Sequence, residues 1–152
     1  MRLGLISDTH GLMRPSALAA LRTSELILHA GDVGSPAVLE ALRRIAPVVA
    51  VRGNIDKGAW AAGLPVTAVA EAGAVRIYML HDLDELDLDP ATAGFPIVLS
   101  GHSHQKNESV RNGVLYLNPG SAGPRRFRLP ITLALLDTEV KPLRAKFVEL
   151  NR

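Results

Sequence analysis

Six short apolar runs constrain what this chain can fold into: LGLIS at 3–7, LILHA at 26–30, VVAVR at 48–52, IYML at 77–80, IVLS at 97–100 and VLYL at 114–117. They are rich in Leu, Ile and Val and alternate little with polar residues, which is the pattern of strands buried on both faces. Between the first three runs lie two helical stretches. Ser35 suits an N-cap and Pro36 a first helical position, and Val38, Leu39, Leu42 and Ile45 then share one face up to the stop at Pro47. Pro15 to Leu21 reads as a second, weaker helix. Strand, helix, strand, helix, strand implies a parallel sheet with right-handed crossovers.

The second half is punctuated by turns. Segments 65–71, 74–80, 106–111 and 114–117 read as short strands, with Asn112-Gly113 as a two-residue hairpin signal. The tail, 131–138 and 142–150, reads as a further hairpin around Lys141-Pro142. The acidic stretch LDELDLDPATAG at 83–94 reads as a loop or a short helix. At 152 residues and 47% hydrophobic, the chain suits one domain over 1–152 with an aliphatic core.

Each apolar run leads into a polar cluster: Asp8-Thr9-His10, Gly31-Asp32, Gly53-Asn54, His81-Asp82, Gly101-His102-Ser103-His104, and Asn118-Pro119-Gly120-Ser121. Ligands of open α/β sheets gather outside the carboxyl ends of the strands, so neighbouring strands would bring all six clusters to one edge. The clusters hold four of the five histidines, together with Asp8, Asp32 and Asn54. Imidazole, carboxylate and amide oxygen together suit Mn, Fe, Ni, Co or Zn and are too rich in nitrogen for calcium. Seven donors with one bridging carboxylate would hold two metals and leave a residual positive charge for a phosphate. In GHSH, small Ser103 lets His102 and His104 point to different metals, and Gly101 permits a sharp turn.

Other classes fall away. With no cysteine there is no thiolate metal site, disulfide or cysteine nucleophile. Seventeen Lys and Arg against fifteen Asp and Glu do not make a nucleic-acid surface, although Arg125-Arg126-Phe127-Arg128 is a local basic cluster. No run has membrane-spanning length, and the first residues lack a signal-peptide pattern. The expected location is cytoplasmic.

The ordered set DTH, GD, GN, H and GHSH, together with RGNID and NPGSAGPR, resembles the calcineurin-like metallophosphoesterases. The resemblance runs from Leu3 to about residue 138 and is closest to the compact bacterial and archaeal phosphodiesterase branch, which has no cap domain. It implies an α/β fold, a four-layer αββα sandwich of two mixed sheets flanked by helices, with a dinuclear metal centre. Carried over, Asp8, His10, Asp32 and His104 hold one metal; Asp32, Asn54, His81 and His102 hold the other; Asp32 bridges. Manganese leads the expected metals, before nickel, zinc, iron and magnesium. The implied activity is hydrolysis of small phosphodiesters by a metal-activated hydroxide attacking phosphorus in line with the leaving oxygen.

Asn54 is expected to contact the phosphate as well. Arg14, Arg52, Arg125 and Arg126 lie near the strand ends in sequence, and Arg14 and Arg125 are candidate phosphate contacts. Two departures from the family pattern stand out. Ile55 occupies the place after Gly-Asn where the wider family often has a leaving-group histidine, which leaves Asp56 as a candidate reacting group. Asp82 stands where the branch usually has glycine, as a further ligand, a hydrogen-bond partner of His81 or an obstruction. His29 reads as a buried histidine that orients a ligand through its ring N–H. The family also includes the subunit of the retromer coat that shares this fold, so a protein-interaction scaffold is the alternative, and a nuclease a further one. The sequence leaves the oligomeric state open, a homo-oligomer included.

Overall fold

The computed structural model describes residues 1–151. In chain order the elements are β1 (Arg2–Ile6), α1 (Pro15–Leu21), β2 (Leu26–His29), α2 (Pro36–Arg43), β3 (Val48–Ala50), β4 (Thr67–Ala72), β5 (Val75–Leu80), α3 (Pro90–Ala93), β6 (Ile97–Leu99), β7 (Asn107–Arg111), β8 (Val114–Asn118), β9 (Thr132–Asp137) and β10 (Lys146–Glu149). They form two five-stranded mixed sheets, ordered β10-β9-β1-β2-β3 and β4-β5-β6-β8-β7. β1, β2 and β3 are mutually parallel, as are β5, β6 and β8. Antiparallel strands close three of the four sheet edges, and parallel β3 is the fourth.

The strand period of two sorts the side chains into layers. Leu3, Leu5 and Leu28 point between the sheets, where they meet Ile77, Met79, Leu99 and Leu117. Ile6 and Ile27 point the other way and pack with Ala17 and Leu21 of α1 and Val38, Leu39 and Leu42 of α2. Gly4 shares that outer face, and a Cβ there would collide with Leu21. Burial of large aliphatic side chains on both faces contributes about 1.5–3 kcal/mol for each one removed from water. It explains why the sequence runs show no alternation.

The outer face of the second sheet has a thinner cover. The acidic stretch is a 3-10 turn at Leu83–Glu85 followed by the single helical turn of α3. Leu83, Leu86 and Leu88 pack on Tyr78, Leu80, Phe95, Val98 and Val114. The acids between them are partly or fully exposed, so the run is a solvated strap pinned by its leucines. Asp89 caps α3 by accepting the Ala91 N–H at 3.2 Å.

Three expectations shift. Four strands end before their apolar runs do, because Ser7, Ala30, Val51 and Ser100 already belong to the loops, whereas β5 and β8 extend beyond their runs. Ser35 has the extended backbone of an N-cap, but its side chain makes no capping hydrogen bond. In the tail hairpin only Lys146–Glu149 pairs with β9, and the Ala145 N–H goes instead to the Glu108 carboxylate at 2.6 Å. Asn112 and Gly113 have φ of 50° and 77°, the two positive values that a primed two-residue hairpin between β7 and β8 requires. Among the described residues no helix is long and apolar enough to cross a membrane.

Candidate metal centre

The carboxyl ends of all six parallel strands meet at one edge, and the loops leaving them are stitched together by main chain. Asp8 N–H donates to Gly31 O at 3.0 Å, His10 N–H to Asp32 O at 3.0 Å, Gly101 N–H to His81 O at 2.9 Å and Ala122 N–H to Ser7 O at 3.1 Å. The backbone there is strained. Asp8, His10, Asp32, His102 and His104 have φ of 55°, 48°, 55°, 74° and 62°. This left-handed region is uncommon for residues other than glycine, and a cluster of such residues marks functional sites, where surrounding structure holds them in it.

Asp8 is fully buried and its two oxygens differ. Oδ2 accepts from Ser7 Oγ at 2.8 Å and from the His102 N–H at 3.0 Å. Oδ1 lies 3.4 Å from His104 Nε2, 3.8 Å from His81 Nε2 and 3.9 Å from His10 Nε2. Asp32 Oδ1 accepts the Ile55 N–H at 3.0 Å, while Oδ2 sits 3.2 Å from His81 Nε2 and 3.5 Å from His10 Nε2. Two clusters result, Asp8–His10–His104 and Asp8–Asp32–His81, each with one donor atom per residue within 4.8 Å of the others.

The tautomers show what the cluster lacks. The Ala30 carbonyl lies 2.8 Å from His81 Nδ1 and can only accept, so that nitrogen carries the proton in the neutral ring. His81 Nε2 then turns a lone pair toward Asn54 Oδ1 at 3.0 Å, Asp32 Oδ2 at 3.2 Å and His102 Nδ1 at 3.3 Å. Burial opposes charge on His81, but contact with Asp32 and the charge of Asp8 push its pKa up overall. Burial likewise opposes the Asp32 charge, yet the His81 contact and the Ile55 N–H bring its pKa below the usual carboxylate value. Burial lowers the pKa of His104, against the pull of Asp8. Among the described residues Asp8 Oδ1, His10 Nε2 and His104 Nδ1 are buried without a hydrogen-bond partner. Converging lone pairs and a bare carboxylate oxygen call for positive charge, and this oxygen and nitrogen donor set fits a divalent transition metal.

A family model, the calcineurin-like phosphoesterase superfamily domain, matches residues 1–141. The chain belongs to that superfamily. It is 34% identical over 158 residues to a probable metallophosphoesterase of Methanothermobacter thermautotrophicus, covering 92% of this chain and 91% of that protein. A phosphodiesterase of Methanocaldococcus jannaschii is 25% identical over 168 residues, covering 98% of this chain and all (100%) of that one. Among solved structures, Vps29 of Entamoeba histolytica in complex with zinc superposes with a TM-score of 0.74 at 24% identity, over 99% of this chain and 100% of that one, a likeness of fold.

In this calcineurin-like chain several expected residues stand apart from the donor cluster. The Asp56 carboxylate accepts N–H groups from Val33 at 3.1 Å, Gly34 at 2.9 Å and Gly53 at 2.9 Å. It therefore ties the Asp32 loop to the Asn54 loop, and the expectation of a reacting Asp56 is corrected on that ground. Arg14 donates to the carbonyls of Gly123 at 3.1 Å and Asn151 at 3.4 Å and so braces loops. Arg125 is exposed and lines a separate cavity with Pro130, Ile131, Glu149 and Leu150. Arg126 is the member of that pair whose charge reaches His104, lowering its pKa. Arg52 lines a cavity of about 180 Å³ with Asn54, His81, Asp82 and His102.

His29 is entirely buried, and burial takes its pKa from 6.5 to about 4. Nδ1 accepts the Gly31 N–H at 3.1 Å, so Nε2 carries the proton and donates to Thr9 Oγ1 at 3.0 Å. Thr9 passes its own proton to Val33 O at 2.8 Å. His29 thus holds the DTH turn through Thr9 and does not itself contact a candidate ligand, which corrects the expected direct orientation. Asp82 Oδ1 accepts the Asp84 N–H at 3.0 Å, and Oδ2 faces His102 Nε2 at 3.9 Å; its neighbour is His102, in place of the expected His81.

One support had no sequence signal, whereas the NPGS turn closes the site with hydrogen bonds as its Pro-Gly sequence suggests. Ser7 reads as the end of a strand, yet its hydroxyl fixes Asp8 Oδ2. Asn118 donates to Gly101 O at 2.9 Å and Ser103 Oγ at 3.1 Å, and Ser121 donates to Asp8 O at 3.0 Å. The NPGS turn therefore closes the DTH and GHSH loops against each other.

Proposed function

We propose that the protein is a metal-dependent phosphodiesterase with two divalent cations at this edge. Asp8, His10, Asp32 and His104 would hold one, and Asp32, Asn54, His81 and His102 the other. Manganese heads the expected metals, with nickel, zinc, iron and magnesium behind it. The carrying observation is Asp8 Oδ1, buried, bare and within 3.9 Å of three imidazole nitrogens. Asp32 Oδ2 lies 3.5 Å from His10 Nε2 and 3.2 Å from His81 Nε2, which supports Asp32 as the carboxylate that both ligand sets would share. Bound cations would supply Lewis acidity toward phosphoryl oxygens and lower the pKa of a coordinated water.

The chain's own residues set orientation and charge. The Ala30 carbonyl fixes the His81 ring, Ser7 and the His102 N–H fix Asp8, and the Ile55 N–H fixes Asp32. Asn54 turns its amide oxygen to His81 Nε2 at 3.0 Å, and its N–H₂ group would donate to a phosphate oxygen. Ile55, 39% exposed at the mouth, has no proton to give a leaving group, so activated aryl esters are the favoured substrates. A cytoplasmic location and a small diester substrate belong to the same reading.

The Vps29 likeness supports a second reading, a scaffold that binds protein through the same fold. Hydrolysis of bis(p-nitrophenyl) phosphate decides between them, after chelation and return of Mn²⁺, Ni²⁺, Zn²⁺ or Mg²⁺, beside an Asp32→Ala variant. Metal-dependent turnover absent from the variant supports the enzyme. Two metals bound per chain with no turnover on any of them supports the scaffold.

A further inference from the structure

A second cavity, of about 520 Å³, opens beside the metal edge. It lies between the acidic strap and strands β7 and β8. Asp82 and His102 line both it and the small cavity around Asn54. The strap covers the sheet with its leucines and leaves this flank open. The volume falls within the range of ligand pockets.

The groove has a direction. Asn107 pairs with Asn118, whose amide holds Gly101 next to His102. Arg111 sits four residues further along β7, about 13 Å away at the usual strand rise. From there the Arg111 guanidinium reaches back to lie 4.5 Å from the centroid of the Tyr116 ring, which stands opposite Ser109 part-way along the groove. Tyr116 is half-buried and Arg111 exposed. A guanidinium held over an aromatic ring can present a planar face to a further planar group.

The charges of the lining cancel. Asp82 and Asp84 stand on one wall, Lys106 and Arg111 on the other, with the Lys106 ammonium 5.6 Å from the Phe147 ring centroid. An arm of either net charge meets repulsion from one wall, whereas a neutral polar arm finds donors and acceptors on both. We propose that this groove binds one arm of a phosphodiester substrate, and that the arm is a neutral, planar heteroaromatic group of nucleoside size. The substrate class rests on the phosphodiesterase reading; the groove and its preference do not.

Two probes with the same leaving group test it: thymidine 5′-(p-nitrophenyl phosphate) and methyl p-nitrophenyl phosphate. The thymidine ester is expected to show a kcat/KM about 10-fold higher, carried by KM, in keeping with stacking contributions. Arg111→Leu is expected to remove most of that ratio, while Arg43→Ala on α2 keeps it. Binding is read separately by NMR with thymidine 5′-monophosphate on the zinc- or magnesium-loaded protein. Backbone amides at 83–84 and 107–111 are expected to shift, and to stop shifting in Arg111→Leu. Equal ratios in the parent, a ratio that survives Arg111→Leu, or shifts confined to the metal loops each overturn the groove and leave the phosphodiesterase reading intact. Shifts along the groove without turnover of any diester overturn the phosphodiesterase reading and leave the groove standing. Neither turnover nor shifts overturns both.

Discussion

Asp8 Oδ2 accepts the backbone N–H of His102 at 3.0 Å, across 94 residues of chain, and leaves Oδ1 facing three imidazoles. One oxygen is structural and the other is offered to a cation. Without metal the bare oxygen is a buried acceptor with no hydrogen-bond donor, which costs on the order of 1–3 kcal/mol. Asp8→Asn is therefore expected to raise the Tm of the metal-free protein. The same change removes a charged donor, so the Tm gain on adding zinc should vanish and metal affinity fall by at least about 100-fold, beyond the usual cost of losing a supporting partner. Thermal melts with and without EDTA, paired with calorimetric metal titration, read both signs. A metal-free Tm that falls would refute the assignment of Oδ1.

Ser7 makes a complementary case. Its hydroxyl donates to Asp8 Oδ2, and a Cβ on Gly101 would run into both Ser7 Oγ and Asp8 Oδ2. Ser7→Ala removes one hydrogen bond to a carboxylate, about 1.5–3 kcal/mol. Gly101→Ala displaces the carboxylate itself. Metal affinity is expected to fall about 10-fold or more in each, with the larger loss in Gly101→Ala. Competition with a fluorescent zinc chelator gives the ranking, and the reverse order would contradict this account of Gly101.

The polar ends of the six apolar runs were legible because a buried strand must be apolar and its loop need not be. The ring of donors followed from parallel strands sharing one carboxyl edge. Side-chain direction was not legible. Asp56 and Arg14 sit beside the motifs in sequence, yet backbone N–H and carbonyl groups that no residue pattern reveals take up their polar atoms. The positive φ at Asp8 and Asp32 was equally hidden, since neither residue declares a left-handed turn as glycine does. Of the arginines at 125 and 126, the one whose charge reaches His104 is Arg126, one residue beyond the candidate Arg125, because the loop at 124–128 turns its side chains by a geometry without period.

Asp56 yields a stability prediction. Its carboxylate serves three buried or half-buried N–H groups from two loops. Asp56→Ala orphans all three and should cost about 3–5 kcal/mol in urea unfolding of the metal-free protein. Asp56→Asn keeps one carbonyl acceptor and should recover part of that loss. A reacting carboxylate would behave otherwise, with kcat collapsing in Asp56→Asn while stability held.

His29 yields a pH prediction whose sign follows from burial. Its pKa falls from 6.5 in the unfolded chain to about 4 in the fold. Above the unfolded value both states are neutral and the residue adds no pH dependence. Between the two values the unfolded chain takes up a proton that the fold refuses, so stability drops as pH falls. The drop is complete near the folded value and totals on the order of 3 kcal/mol. His29→Gln has no proton to take up, so its curve should lack this share of the slope while carrying a constant penalty for altered bonds to Thr9 and Gly31. Urea unfolding in EDTA at a series of pH values from 7.5 to 4 compares the two. The gap between parent and variant is expected to narrow as pH falls through that window. A gap that stays constant would mean that His29 is charged in the fold, or not as enclosed by the DTH turn as its contacts require.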